Sequence, residues 1–307
     1  MTTATSSIPS LAGDSHPASL SLTQQALRRL RRDPLTLAAA VILLVLMLLS
    51  LFAPLIVTNM LQTDYFSTSV SDRFLPMGTP GHVLGTDSLG RDVLARLLYG
   101  GQVSLSVAAL SAGFSLIVGV TLGLIAGFNQ GGTFGFIDDL LLWFITTLNS
   151  IPSLYLLVML SAVLRPTVLT LVLVISLFSW TFTMRLTRGQ TLSIREQEYV
   201  VAARAMGASP WRIMRSHILP NLVSILTVDL ASNIAALILT ESALSFLGLG
   251  VREPTPSWGN MLSSAQSYFR EAAHLVILPG MLIVITVLCL FLIGDGLRDA
   301  FDPQSKK

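Results

Sequence analysis

Lysine is almost missing from this chain: of 307 residues only Lys306 and Lys307 carry it, at the very end. A phosphate-binding GxxxxGK[ST] loop needs a lysine followed by Ser or Thr, so that motif is excluded, and any ATP that drives this protein is bound by another chain. Cysteine is as scarce. The single Cys289 lies inside an apolar run, which rules out an internal disulfide and reads most simply as a small buried hydrophobe. Charged residues make up 12% of the chain, against about 25% in soluble domains. Apolar residues fill the deficit, at 52%.

A bilayer span needs roughly 20 apolar residues. Six runs qualify, at about Leu35–Val57, Val103–Phe128, Leu140–Leu164, Val168–Met184, Leu222–Leu249 and Leu275–Leu297. The pattern predicts an all-α polytopic membrane protein with six transmembrane helices. The first 27 residues, rich in Ser, Thr, Ala and Pro, have no apolar core and read as a disordered tail rather than a secretory signal. The chain then divides into a disordered tail with a basic end (1–33), a first span with an external loop (34–102), a core (103–303) and a short tail (304–307). Pro152 and Pro279 are expected to kink the third and sixth spans. Asp138, Asp139 and Asp295 sit at span ends where water can solvate them.

Charge orients the spans. With the amino terminus inside, the cytosolic segments hold thirteen Lys and Arg, including Arg28, Arg29, Arg31 and Arg32 and six between Arg185 and Asn221. The other side holds six: Arg73, Arg91, Arg96, Arg165, Arg252 and Arg270. That asymmetry follows the positive-inside rule and puts both termini in the cytosol.

The cytosolic stretch EYVVAARAMGASPWRIMRSHILPN, Glu198 to Asn221, reads as helix, break, helix. Tyr199, Val200, Ala203 and Met206 form an apolar stripe at helical spacing. Gly207 ends the first helix, Ser209 caps the second, Pro210 takes its first position, and Pro220 starts the fifth span. Such a basic knuckle could lie on anionic headgroups. The small residues Ala202, Ala203 and Gly207 favour a plug for a protein groove, because lipid-binding helices prefer Leu, Trp or Phe.

Within the spans, acids are costly and are functional suspects. Asp229, Asn233 and Thr240 share one face of the fifth span, and Glu241 points roughly 100° away from Thr240. They read either as a polar strip lining a path or as hydrogen bonds that fix helix packing. In the loop before the second span, GTDSLGRD is turn chemistry followed by a helix start. Asp92 and Arg96 can pair four apart, with Val93, Leu94, Leu97 and Leu98 as an apolar face. Two carboxylates alone, Asp87 and Asp92, make a weak metal site. An intramembrane serine protease needs a histidine inside a span, and none is present; His274 only borders the sixth. An aspartyl protease needs acids in two facing spans, and only the fifth carries central ones. A stand-alone secondary transporter is the alternative reading, although the halves show no internal repeat.

Val201-Ala202-Ala203, then Gly207, then His217-Ile218-Leu219-Pro220 resembles the EAA signature of ABC-importer permeases, with Val201 in place of its glutamate and His217 in place of an isoleucine. HVLGTDSLGRDVLARLLYGGQVSLSVA, from His82, and ESALSFLGLGVREPTPSWGNML, from Glu241, narrow the resemblance to the C-type permease of the dipeptide/oligopeptide/nickel importer family, from about Asp33 to Pro303. The resemblance implies a type I importer fold in a bacterial inner membrane. It implies a homologous permease partner in a heterodimer, two cytosolic ATPases that hold the ATP and Mg, an extracytoplasmic binding protein, and surrounding lipid. It also implies no cofactor, metal, catalytic residue or nucleic acid on this chain. Coupling to the ATPases would fall on segment 189–220, with Ala202, Ala203, Gly207, Ala208, Ser209, Pro210, His217, Leu219 and Pro220. Gly85, Thr86, Asp87, Gly90, Arg91 and Asp92 would form the extracytoplasmic motif, part of the surface that meets the binding protein. Since that family carries glutamate at Glu241 whatever its substrate, the packing reading is favoured there, and both readings stay open for Asp229.

Overall fold

The computed structural model describes residues 22–132, 135–164 and 167–301. Arg165, Lys306, Lys307 and most of the tail expected to be disordered lie outside the described residues, which are helical and turn-rich with no strand. A short helix, α1 (Leu22–Leu30), precedes α2 (Pro34–Leu51), which continues through α3 (Ala53–Leu55) and a π-turn over Ile56–Met60. After a long loop come α4 (Val93–Asn129), α5 (Gly135–Asn149), α6 (Ser153–Val163) and α7 (Val168–Arg195). The short α8 (Glu198–Ala205) and α9 (Pro210–Ile213) lead into α10 (Leu219–Phe246), then α11 (Trp258–Ala265) and α12 (His274–Phe301). Among the described residues five helices are long and apolar enough to cross a membrane, and six if α5 and α6 count as one bent span.

Local chemistry sets these boundaries. Asp33 caps α2 by accepting the Leu35 N–H, with Pro34 at the first position, where a missing N–H costs nothing. Asp92 caps α4 through the Ala95 N–H at 2.7 Å, so α4 starts well before Val103 and the expected boundary at 102 falls inside an unbroken helix. Capping boxes at Thr167 and Ser257 start α7 and α11. The third span is not one rod: it breaks before Pro152 and turns by 78° between α5 and α6. Pro279, in contrast, sits inside an uninterrupted α12. The α7 helix runs past Met184 to Arg195, carrying Arg185 and Arg188 with it.

The tightest seam joins α4 to α7. Gly119, Gly123 and Gly127 repeat every four residues and face Thr183, Thr187 and Thr191 at the same period. A Cβ added at Gly123 would lie 2.6 Å from Thr187 Cβ and 2.7 Å from the Met184 carbonyl. Without a hydrophobic drive between helices in lipid, this approach gains its stability from van der Waals contact between backbones. Around the seam a core of Val107, Ala112, Leu171, Ile175, Ile238 and Leu244 joins α4, α7 and α10, and α12 and α2 wrap the outside.

Residues 22–30 are helical, which corrects the disordered reading for that part of the tail. Ala26 is buried and the helix packs against the end of α12, where Arg29 Nη1 reaches the Ala300 carbonyl at 3.4 Å. Tertiary contact supplies what composition lacked. Asp138 is corrected as well. It is 2% exposed, with both carboxylate oxygens held by Arg188, at 2.7 Å for Nη2 to Oδ2, so a guanidinium rather than water solvates it.

The seam makes a direct prediction. Gly113 has open space around it whereas Gly123 has none. Alanine favours a helix over glycine by about 1 kcal/mol, and forced overpacking costs about 1–3 kcal/mol. Gly113→Ala should therefore leave the melting temperature of the detergent-purified protein unchanged or raised, while Gly123→Ala lowers it.

Candidate functional site

Two clusters lie at opposite ends of α4. At one end the segment Glu198–Asn221 folds as the expected knuckle. Gly207 adopts φ +82°, in the left-handed region that glycine enters without strain, and turns the chain between α8 and α9. Ser209 Oγ accepts the Arg212 N–H at 3.4 Å, and Pro210 takes the first helical position. The α9 helix then passes through a π-turn over Met214–Ile218 directly into α10, with Pro220 in its first turn, so the second half of the knuckle is the root of a span.

The apolar stripe divides differently from expectation. Val200 turns inward, into a cluster with Ile213, Ile218 and Leu222 and the end of α4 at Leu124 and Phe128, with Ala208 packed against it, and Ala203 is buried at 4% exposure. Tyr199, Val201 and Ala202 face outward with Met206, 82% exposed, and Trp211, 66% exposed, while Gly207 meets nothing within 4 Å of an added Cβ. Ala203 is thus part of the knuckle's own core, and the free ridge is Val201, Ala202, Met206, Gly207 and Trp211. His217 is half-buried beside the Tyr199 ring. Leu219 joins the same apolar cluster at the start of α10.

Arg195 fixes this knuckle to α4. Its Nη1 donates to the carbonyls of Gly127 at 2.9 Å, Phe128 at 3.3 Å and Gln130 at 2.9 Å, satisfying the carbonyls a helix end leaves free. Arg204 of α8 stacks 5.4 Å from the Phe128 ring centre. The sequence reading passed over both arginines; a cation just before a helix-break-helix pattern was the available signal.

At the other end, the loop before α4 closes around two arginines. Arg91 Nη1 and Nη2 hold Glu253 at 2.9 and 3.2 Å, and its Nε holds Asp87 at 2.7 Å. Arg96 reaches Glu253 at 3.3 Å, Asp87 at 3.5 Å and the Tyr65 carbonyl at 3.4 Å. The expected Asp92–Arg96 pair is not made. Asp92 is occupied by its helix cap and by His82 Nδ1 at 2.9 Å, which leaves Arg96 to the acids across the loop. Thr86 is buried and ties the loop to itself, accepting from Leu75 N and donating to the Asp72 carbonyl. Gly85 and Gly90 have positive φ and lie against the Leu75 and Ser69 carbonyls, so a side chain at either would collide with backbone. The motif residues Gly85, Thr86, Asp87, Gly90, Arg91 and Asp92 therefore come together as one folded loop, joined by Glu253, an acid of the second quoted motif that the sequence does not assign to this cluster.

Asp229, Asn233 and Glu241 of α10 each find a neighbour helix, whereas Thr240 donates to the Ala236 carbonyl of its own helix at 2.9 Å. Asp229 accepts from Thr183 of α7 at 2.8 Å, and Asn233 donates to Ser115 of α4 at 3.2 Å. Glu241, fully buried, accepts from Ser104 of α4 at 2.8 Å and from Ser245 at 2.6 Å. Ser104 also accepts the Trp258 N–H at 3.2 Å, and the Trp258 indole donates to the Leu97 carbonyl at 3.0 Å, so α11 is tied into the same cluster.

Residues 119–307 match the family described as "Binding-protein-dependent transport system inner membrane component", and residues 21–76 match the "N-terminal TM domain of oligopeptide transport permease C". The chain belongs to the binding-protein-dependent transport system inner membrane component family, and is a multi-pass subunit of a bacterial inner-membrane transporter whose ATPase is a separate chain. It is 35% identical over 283 residues to a dipeptide transport system permease protein of Alkalihalophilus pseudofirmus, covering 92% of this chain and 90% of that one. It is 36% identical over 279 residues to a glutathione transport system permease protein of Pectobacterium atrosepticum, covering 91% and 90%. A di/tripeptide transport system permease protein of Pseudomonas aeruginosa is 41% identical over 245 residues, covering 79% and 78%. Among solved structures, the inward-facing MetNI methionine ABC transporter shares the fold, with a TM-score of 0.56 at 20% identity over 67% of this chain and 96% of that chain.

The network of Arg91, Arg96, Asp87 and Glu253 carries a pH signature. The Arg91 hydrogen bond holds the Glu253 carboxyl below the usual carboxylate range, against the partial burial that would raise it. A folded value below the unfolded one means a contribution present at neutral pH and lost as pH falls through that lowered value. Glu253→Gln should remove it at every pH. Since Glu253 is 41% exposed, the cost is a discounted one of about 1–2 kcal/mol. Hydrogen exchange in residues 85–92 should rise accordingly at neutral pH, and the difference from wild type should vanish in acid.

Proposed function

We propose that the chain is the permease subunit of an ATP-driven importer for peptides or a related small solute, paired with a homologous permease to enclose the path. A binding protein delivers the solute on the loop side, and two cytosolic ATPases drive the cycle. The names of its relatives support a peptide-sized cargo. The observation that carries the coupling role is the ridge of Val201, Ala202, Met206, Gly207 and Trp211. It is apolar and exposed, with Val201, Ala202, Met206 and Gly207 outside the candidate spans, on a chain that lacks a phosphate loop of its own. An exposed aromatic and methionine beside glycine and alanine suit a protein groove, and burying them there gains about 25 cal/mol for each Å² removed from water. In this reading the knuckle and both termini lie in the cytosol, and the core 103–303 is the working unit. Val201 supplies apolar contact where the family signature has an acid. Asp229, Asn233 and Glu241 act first as interhelical ties. Asp229 and Asn233, which are not fully enclosed within the single chain, are the pair positioned to touch the path in the assembled dimer.

Ala202→Glu and Met206→Glu place a charge on the ridge without touching the knuckle's core. Each should leave insertion and pairing with the partner permease intact while ATPase co-purification and uptake fall about tenfold or more, as a buried unpaired charge requires. Ala203→Asp should instead destabilise the chain itself. Undiminished ATPase recovery with normal uptake in both ridge variants would overturn the coupling assignment.

A further inference from the structure

Four arginines cluster at the end of α1, Arg28 and Arg29 in its last turn and Arg31 and Arg32 in the turn that follows, and three of them have no charged partner among the described residues. Arg28, Arg31 and Arg32 are exposed and make no ion pair or side-chain hydrogen bond among the described residues. Arg29 is different: it faces α12 and reaches the Ala300 carbonyl. The buried Ala26 on the same side fixes the helix against the end of α12, so the orientation of its other side is set by packing. That other side presents Leu27, 53% exposed, next to Arg28 and Arg31. Arg32 lies two residues before the first membrane-spanning helix, which begins at Pro34. Among the described residues the nearby acids leave them unpaired: Asp33 caps α2 and holds Thr36, and Asp295 and Asp299 on α12 pair with none of the three.

An apolar side chain flanked by three free guanidiniums at the level where a span enters the membrane matches one ligand chemistry. The leucine suits the edge of the acyl region, and guanidinium forks suit phosphate oxygens. We propose that α1 is an anionic-phospholipid site: Arg28, Arg31 and Arg32 bind headgroup phosphates of negatively charged lipid while Leu27 dips beneath them. Because α1 rests on α12, this contact ties the lipid surface to the last helix of the core. The attraction is electrostatic and fades beyond a Debye length, so it weakens with salt.

The test uses the full-length protein in the Cys289→Ala background, with Leu27→Cys carrying a fluorophore, in nanodiscs. Energy transfer is compared for headgroup-labelled phosphatidylglycerol and headgroup-labelled phosphatidylcholine. Phosphatidylglycerol should be enriched about fivefold near the label, roughly the factor one arginine near the surface contributes. The enrichment should survive replacement of the three arginines by lysine, fall stepwise with single glutamine replacements, and vanish in the triple variant Arg28→Gln, Arg31→Gln, Arg32→Gln. Equal transfer to both lipids, or enrichment that persists in the triple glutamine variant, would overturn the proposal. Loss of enrichment on adding inorganic phosphate would mark a soluble-anion site instead. Loss on adding the ATPases would mark a protein contact.

Discussion

Gly119, Gly123 and Gly127 present no Cβ, and Thr183, Thr187 and Thr191 lie directly against the bare backbone they leave. This contact fixes the separation of α4 and α7 over about 12 Å of their length, and α10 and the α5–α6 element are tied to that pair. The α10 helix hydrogen-bonds to both, through Thr183 to Asp229 and Ser115 to Asn233. The broken α5–α6 element is pinned to α7 by the buried Asp138–Arg188 pair. In a lipid environment, where apolar surface is satisfied by acyl chains, only such close approach and internal hydrogen bonding can specify one arrangement over another.

The same helix joins the two candidate sites. One end of α4 is held by the Arg195 guanidinium and forms part of the knuckle's own apolar core at Leu124 and Phe128. Its other end is capped by Asp92 and carries Arg96 into the network with Asp87 and Glu253. Between them, Ser104 connects Glu241 to the Trp258 backbone. The knuckle is continuous with α10 and packs on the end of α4, and the loop before α4 is fastened to the far end of that same rod. In the proposed function, α4 and α10 together are the route by which motion of the knuckle reaches the other end of the bundle.

Much of this was legible from residue types. The apolar runs located every span, and Ser209, Pro210 and Gly207 predicted the knuckle's turn because each has one favoured position in such a turn. Outward orientation within the knuckle was not legible: periodicity grouped Tyr199 and Met206 with Val200 and Ala203, whereas only the latter two are buried, Val200 in a core supplied by α4, α9 and α10. Ion pairing in the loop failed for a similar reason. Spacing of four favoured Asp92 with Arg96, but a helix cap uses Asp92 locally, and Glu253 arrives from a loop more than 150 residues away. The glycine ladder in α4 was open to reading as a repeat of small residues; its partner threonines could be known only from the packing.

The central claim is that knuckle and outer loop ride on one unbroken α4. It is tested most directly by pulsed electron resonance between spin labels at Ser88 and Trp211, in the assembled transporter without ATP and with ATP trapped. The distance between the two labels should stay constant across the cycle while distances from either label to the partner permease change. A change of one helical turn, about 5.4 Å, in the Ser88–Trp211 distance would contradict the account.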